Sequence, residues 1–480
     1  MPPPQKLEKT IGLWSAITIV IGVIIGSGIF MKPATMASQL PSPYMLITVW
    51  IVAGLISMFG ALAFAELGTM FPETGGQYVF LRKSFNDLLA YLYGWGALAV
   101  INSAAIAGIA FVFAEYLGFF IGLPHFSDAT EQSLILHIPL IGNILPLQNI
   151  GAKSVAIFLI LFLSMINYLS VKSSNSIQLI ATILKVSAIV VLIGGIFFFG
   201  KGNTANFTTN APGFDMNGIL LFVAFMAATT GAFASYDGWN VLPMVSGEIK
   251  DPKRNITRSL VIGLWACIAV YLLITLAFMY VLPIDEMSKS KLVATDAISV
   301  VFGNIGGGIV AGLIVVSTFG AVNVNLLTTT RVLFAMGESG TFFPQVAKVH
   351  KKYKTPGVAI WVMGIWSCIL VISGSFDMLF DMFIFISEIF YALVIIGLFI
   401  LRKRMPDAER PYKVWGYPYV PLVFLLFIFA YVISTLYYDI TNYLDGKTPF
   451  INSVLGLVLT AIGIPIYYYF KRKNGKLPDM

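Results

Sequence analysis

Twelve stretches of this 480-residue chain stay apolar for at least about 18 residues, the length a helix needs to cross a bilayer. Their approximate limits are 11–37, 43–70, 88–121, 153–171, 174–199, 217–246, 258–282, 303–335, 357–374, 378–401, 419–438 and 449–470. Such a pattern leaves few solutions, because backbone N–H and C=O groups in hydrocarbon must be satisfied inside the protein, and runs of this length do so as helices. Composition agrees: 58% of residues are hydrophobic and 11% charged, against roughly 25% charged in a soluble domain. The expected fold class is an all-α polytopic membrane protein with twelve transmembrane helices. The first stretch is too long for a signal peptide and is followed by no small-residue cleavage pattern, so it is expected to remain as a helix.

The basic residues orient the bundle. Placing the N-terminus in the cytoplasm puts 23 of the 30 lysines and arginines in loops on that side, and Lys32, Lys153, Lys201, Lys289, Lys291 and Lys447 on the other, with Lys185 left inside a span. That asymmetry predicts both termini in the cytoplasm. It also explains the net charge of +7 without nucleic acid, since the positive residues alternate with the loops. Cys267 and Cys368 both fall in apolar segments and read as small core residues, with no CxxC motif to hold a metal. The three histidines lie outside the spans, so no intramembrane histidine relay is expected, and no cofactor or metal site stands out.

Two spans are interrupted where the bilayer demands continuous helix: the first at Ile25-Gly26-Ser27-Gly28-Ile29-Phe30 and the sixth at Phe233-Ala234-Ser235-Tyr236-Asp237-Gly238-Trp239. Spans one to five and six to ten form halves with an odd number of helices, so they enter the membrane from opposite sides, each opening on its broken helix. This predicts a 5+5 inverted repeat over 11–199 and 217–401, with 419–470 as an appended pair, all within one domain over 1–480. A single glycine-rich segment reads more simply as close helix packing; both together, in matching positions, point to a ligand site near mid-membrane. Gly26, Ser27 and Gly28 let the chain unwind and restart as a half-helix whose free N–H groups suit a carboxylate. Carbonyls released near Ile24 and around Phe233, Ala234 and Ser235, beside Tyr236, suit an ammonium group. A ligand carrying both groups side by side is an α-amino acid.

These residues resemble the L-amino acid transporter family of the amino acid–polyamine–organocation (APC) superfamily. The likeness rests on Val20-Ile21-Gly22-Val23-Ile24-Ile25-Gly26-Ser27-Gly28-Ile29-Phe30, on Ala65-Glu66-Leu67-Gly68 with Gly75-Gly76-Gln77-Tyr78, on Tyr236-Asp237-Gly238-Trp239-Asn240, and on the loop Gly247 to Asn255. It covers nearly the whole chain. The resemblance implies the inverted-repeat fold shared with neurotransmitter–sodium symporters, a bacterial plasma-membrane location, and transport of a neutral L-amino acid by alternating access. By that likeness Ser27 and Gly28 bind the carboxylate through backbone N–H groups, while Ile24 and the sixth-span break supply carbonyls to the amine. Ala234 stands where many relatives carry a gating aromatic, with Phe233 one residue away. Relatives joined by a disulfide to a single-span glycoprotein carry a cysteine outside the membrane near helix four; none occurs here, so no such heavy chain is expected.

Lys185 is the sharpest side-chain signal. It lies at least 11 residues, or roughly 16 Å, from either end of span five, too far to reach a surface, so it must face protein. It resembles the family lysine that occupies the place of sodium in sodium-driven relatives, which implies sodium-independent exchange. Glu388, mid-way along span ten, offers the alternative of proton-coupled symport, or else pairs with a polar neighbour. Glu66 reads as an interfacial or packing residue, and Asp237 as a group that orders the broken backbone. Asn102, Ser103, Asn323, Asn325 and Tyr391 are candidates to line the pocket, each with interhelical packing as the plainer role. An enzyme would need a nucleophile–base pair or metal cluster, and none stands out. A non-transporting amino acid sensor would share the same binding site.

Overall fold

Apolar runs become helices here, and their ends follow local chemistry. The computed structural model describes residues 11–71, 76–139, 141–169, 171–200, 202–244, 249–338, 340–353 and 355–474. Gly75, Gly247 and Glu248 of the motifs, and Lys6, Lys9, Lys201, Lys354 and Lys476 of the basic residues, lie outside them. The main helices are α1 Leu13–Ile24, α2 Lys32–Gln39, α3 Pro43–Met70, α4 Gln77–Ser84, α5 Asp87–Leu117, α6 Ile150–Leu169, α7 Val171–Phe199, α8 Gly218–Tyr236, α9 Pro252–Val281, α10 Val293–Glu338, α11 Gly357–Ser373, α12 Phe376–Arg404, α13 Tyr419–Leu444 and α14 Asn452–Arg472. Proline in the first turn starts α2, α3 and α9, where its missing N–H has no bond to lose. The Asn86 side chain caps α5 by accepting from Leu89 N–H at 2.9 Å. Arg402, Lys403 and Arg404 close α12, complementing its dipole.

Among the described residues nine helices are long and apolar enough to cross a membrane, and three shorter apolar ones, Leu13–Ile24, Leu184–Phe199 and Gly357–Ser373, fall on the first, fifth and ninth stretches. Helix α10 is two helices meeting at a kink: ten residues of helix from Val293 precede Gly303, whose φ of 62° is non-helical, and the second helix starts where the eighth apolar stretch does. The 122–152 connection carries an antiparallel hairpin, Leu136–Ile138 with Gly142–Ile144, whose Asn143 N–H donates to Pro449 O and whose Ile141 O accepts from Ile451 N–H. It thereby ties the start of α14 to the bundle. We call this the hairpin end, and the opposite one, with residues 11 and 474, the termini end.

Buried polar bonds cross between helices. Glu66 on α3, wholly buried, accepts both Nε and Nη2 of Arg402, faces Arg410 Nε at 3.3 Å, and accepts Val414 N–H at 2.7 Å. The packing role expected of Glu66 is therefore filled by arginines that read as loop charges in the sequence. Two lysines assigned to loops are buried as well. Lys153 donates to Leu145 O, Pro146 O and Ile372 O, and Lys32 is fully enclosed.

Candidate functional site

The first break has the expected form. The α1 ladder ends with Ile25 N–H donating to Ile21 O at 2.9 Å, and a new one starts with Phe30 N–H to Ser27 O at 3.1 Å, continuing through a short 3₁₀ turn into α2. The amides of residues 26–29 lie between the two ladders, at the start of a half-helix where an anion is favoured.

The sixth stretch breaks in the second half of the segment its sequence marks. α8 stays helical through Tyr236, and the interruption falls at 237–240, where Gly238 adopts φ 116°. That torsion, which a side chain disfavours, sets the stop three residues beyond the small residues Ala234 and Ser235. Phe233 O is consequently not free: it accepts Asp237 N–H at 2.9 Å. Nor does the Phe233 ring face the break; it packs on Phe427 and Tyr431 of α13, at centroid distances of 6.0 and 5.4 Å. Ala234 is partly exposed and Ser235 buried.

The two breaks cross antiparallel through reciprocal glycine contacts. A Cβ added at Gly28, just after the first break, would meet Ser235 Oγ at 2.9 Å and Ser235 Cα at 3.3 Å, just before the second. A Cβ at Gly238, after the second, would meet Val23 Cγ1 at 2.6 Å, before the first. Bare backbone is required on each strand at the point where the other approaches.

A tyrosine from α9 reaches both breaks. The Tyr271 hydroxyl lies 2.9 Å from Ile24 O and 2.7 Å from Ser235 O, its ring stacked among Trp50 and Tyr236 at centroid distances of 5.3 and 5.0 Å. The Ile24 carbonyl expected to be open is thus already in contact with a donor, with one lone-pair direction left to use. Sequence reading missed Tyr271; the available signal was a tyrosine inside an apolar helix, whose hydroxyl must find a partner when buried. On the other side of the second break Trp239 is caged by Phe64 and Tyr391, at 4.9 and 4.8 Å.

Charged groups border this crossing. Lys185 Nζ donates to Gly22 O at 3.4 Å, one turn before the first break, so the α7 lysine does reach α1. Asp237 accepts the Tyr391 hydroxyl at 2.5 Å, fastening the second break to α12. Glu388, one turn from Tyr391, is buried with Oε2 lacking a hydrogen-bond partner among the described residues. Of the other lining candidates, Asn323 is fully buried and receives Asn167 Nδ2 at 2.9 Å, a bond between α10 and α6. Asn325 donates to Ala321 O within its own helix. Ser103 donates to Leu98 O and Met363 Sδ, closing a π-helical turn at Ala97–Ile101, and Asn102 is partly exposed beside it. Polar bonds between or within helices thus occupy Ser103, Asn323 and Asn325, while Tyr391 stays at the break. Cys267 and Cys368 are free and buried, and no group of three potential metal ligands occurs among the described residues.

Two discontinuous helices that face each other with released backbone groups, inside a bundle of apolar spans, define a membrane carrier of the broken-helix type. The chain belongs to the amino acid permease family, whose model matches residues 11–460, and within the APC superfamily to the L-amino acid transporters. It is 30% identical to the serine/threonine exchanger SteT of Bacillus subtilis over 98% of each chain. Identity to the human b(0,+)-type amino acid transporter 1 is 31% over 86% of this chain and 80% of that one, and to the human cystine/glutamate transporter 30% over 98% and 87%. The protein is therefore a membrane permease and not an enzyme.

Proposed function

We propose that this permease exchanges neutral L-amino acids without sodium, binding them at the crossing of the two breaks and alternating access between the membrane faces. The observation that carries the reading is the antiparallel meeting of Gly28 with Ser235 and Gly238 with Val23, which sets half-helix amides and helix-end carbonyls side by side. The substrate carboxylate sits on the amides of Ser27 and Gly28, beside Gly26. Its ammonium sits at the carbonyls of Ile24 and of the last turn of α8, with Ala234, Ser235 and Tyr236 alongside; Phe233 enters only through packing. Lys185, touching α1 through Gly22, serves as the fixed cation that makes sodium unnecessary. The serine/threonine exchanger among the relatives supports both the neutral substrate and the exchange mode.

The same reading includes twelve spans in a 5+5 inverted repeat, supported by the three shorter apolar helices at stretches one, five and nine and by the two-fold character of the glycine contacts. The excess of basic residues at the termini end supports a cytoplasmic location for both termini, and makes the hairpin end extracellular. The carrier works in a bacterial plasma membrane, in contact with lipid and without a disulfide-linked heavy chain, consistent with its having only Cys267 and Cys368, both buried. Proton symport is the second reading, favoured by the unpartnered Glu388 Oε2. Proteoliposomes decide between them. Exchange predicts labelled amino acid uptake that needs internal amino acid and no sodium; symport predicts accumulation in otherwise empty liposomes under an inward proton gradient. A protein that binds amino acid and does neither would be a sensor.

A further inference from the structure

Lys32 is a fully enclosed charge outside the crossing. Its exposure is 0%, yet it begins the half-helix α2, directly after a break that separates α2 from α1. Its Nζ lies 2.8 Å from Asp377 Oδ1 and 3.2 Å from Asp381 Oδ1, two carboxylates one turn apart on α12, and 4.9 and 5.6 Å from the faces of Phe376 and Phe380. Thr35, one turn along α2, donates to the same Asp377 oxygen. The contact therefore joins a short segment hinged at its start to the hairpin end of a long helix. Beside this contact α2 closes over Gly231 of α8, where an added Cβ would meet Met36 Cγ at 2.7 Å and Lys32 Cβ at 3.5 Å.

The distribution of water is uneven. The aspartate side chains keep 47% and 24% of their exposure, while the lysine side chain keeps 1%. Separation would return the lysine to water without stranding either acid, so the attraction lost is offset by hydration regained. The Glu66 cluster is built in the opposite way: its carboxylate is wholly buried and bound by two arginines and a backbone N–H, and it flanks no break. The first arrangement suits repeated opening and the second suits permanence.

We propose that Lys32, Asp377 and Asp381 form a latch that holds α2 against α12 and closes the extracellular route to the crossing, releasing once in each transport cycle. The sidedness rests on the orientation proposed above. The test uses the full-length protein in proteoliposomes, with Cys267 and Cys368 replaced by alanine and a single reporter, Met36→Cys, under the seal. A membrane-impermeant maleimide is applied to the extracellular face, with exposed Ser133→Cys as a control for sidedness. Lys32→Gln should speed labelling of Met36→Cys about tenfold, because loss of the pair shifts the population toward the open form. Asp377→Asn, which leaves Asp381 in place, should give a smaller increase in the same direction and serves if Lys32→Gln does not fold. Unlabelled Ser133→Cys would overturn the orientation. Labelled Ser133→Cys with no acceleration at Met36→Cys in a monodisperse latch variant would overturn the latch.

Discussion

At Gly28 and Ser27 the chemistry of binding comes down to the absence or presence of a few atoms. Gly28→Val should abolish amino acid binding in a folded, membrane-inserted protein, because its Cβ meets Ser235 before any ligand arrives. Scintillation proximity binding on the purified variant checks this, and unchanged affinity would end the assignment. Since the nearest obstacle is Ser235 Oγ, Ser235→Ala in a Gly28→Ala background should recover part of the loss. Ser27→Ala should weaken binding less than either, as the proposed contact uses backbone N–H. Much of this was legible in the sequence: the first break falls where Gly26, Ser27 and Gly28 place it. The second did not, since Ala234 and Ser235 are small enough to suggest unwinding but helical enough to resist it, and only the φ of Gly238 marks the true stop.

At the scale of elements, α12 is the member to which distant parts of the chain attach: Lys32 at its start, Asp237 through Tyr391 at its middle, Glu66 through Arg402 near its end. None of these partnerships is written locally. Lys32 and Asp377 are 345 residues apart, so a lysine near the end of the first apolar stretch reads only as an orienting charge until the fold brings its acids to it. Glu66→Gln tests the attachment at the termini end. It leaves Arg402 and Arg410 without their counter-charge, a loss of about 3 kcal/mol for a buried pair, and should lower the midpoint of thermal unfolding in detergent while leaving substrate affinity nearly unchanged. A variant that melts as the parent does would show the cluster to be inert.

For the molecule as a whole the decisive measurement is the source of the driving force. Lys185→Ala should slow sodium-independent counter-exchange severely, because the contact between α7 and Gly22 then no longer biases the two access states. If an inward proton gradient alone drives accumulation, and Glu388→Gln abolishes it, the carboxylate and not the lysine carries the coupling. The sequence made Lys185 legible because a charge at mid-membrane has few explanations. Glu388 was legible for the same reason, but its orphaned oxygen, which decides how much weight the second reading deserves, is a property of tertiary packing that no local pattern encodes.

The hydroxyl of Tyr271 lies within bonding distance of two carbonyls and owns one hydrogen. That hydrogen serves one of the two oxygens at a time, and it can pass between Ile24 and Ser235 merely by rotating about a C–O bond. An ammonium group, which brings three hydrogens, serves both oxygens together. Tyr271→Phe removes that hydrogen from both buried acceptors, at a cost of about 1–3 kcal/mol in all. Calorimetry should then find tighter binding of amino acids, whose ammonium relieves the larger deficit, while their amine-lacking carboxylic acid analogues are hardly affected.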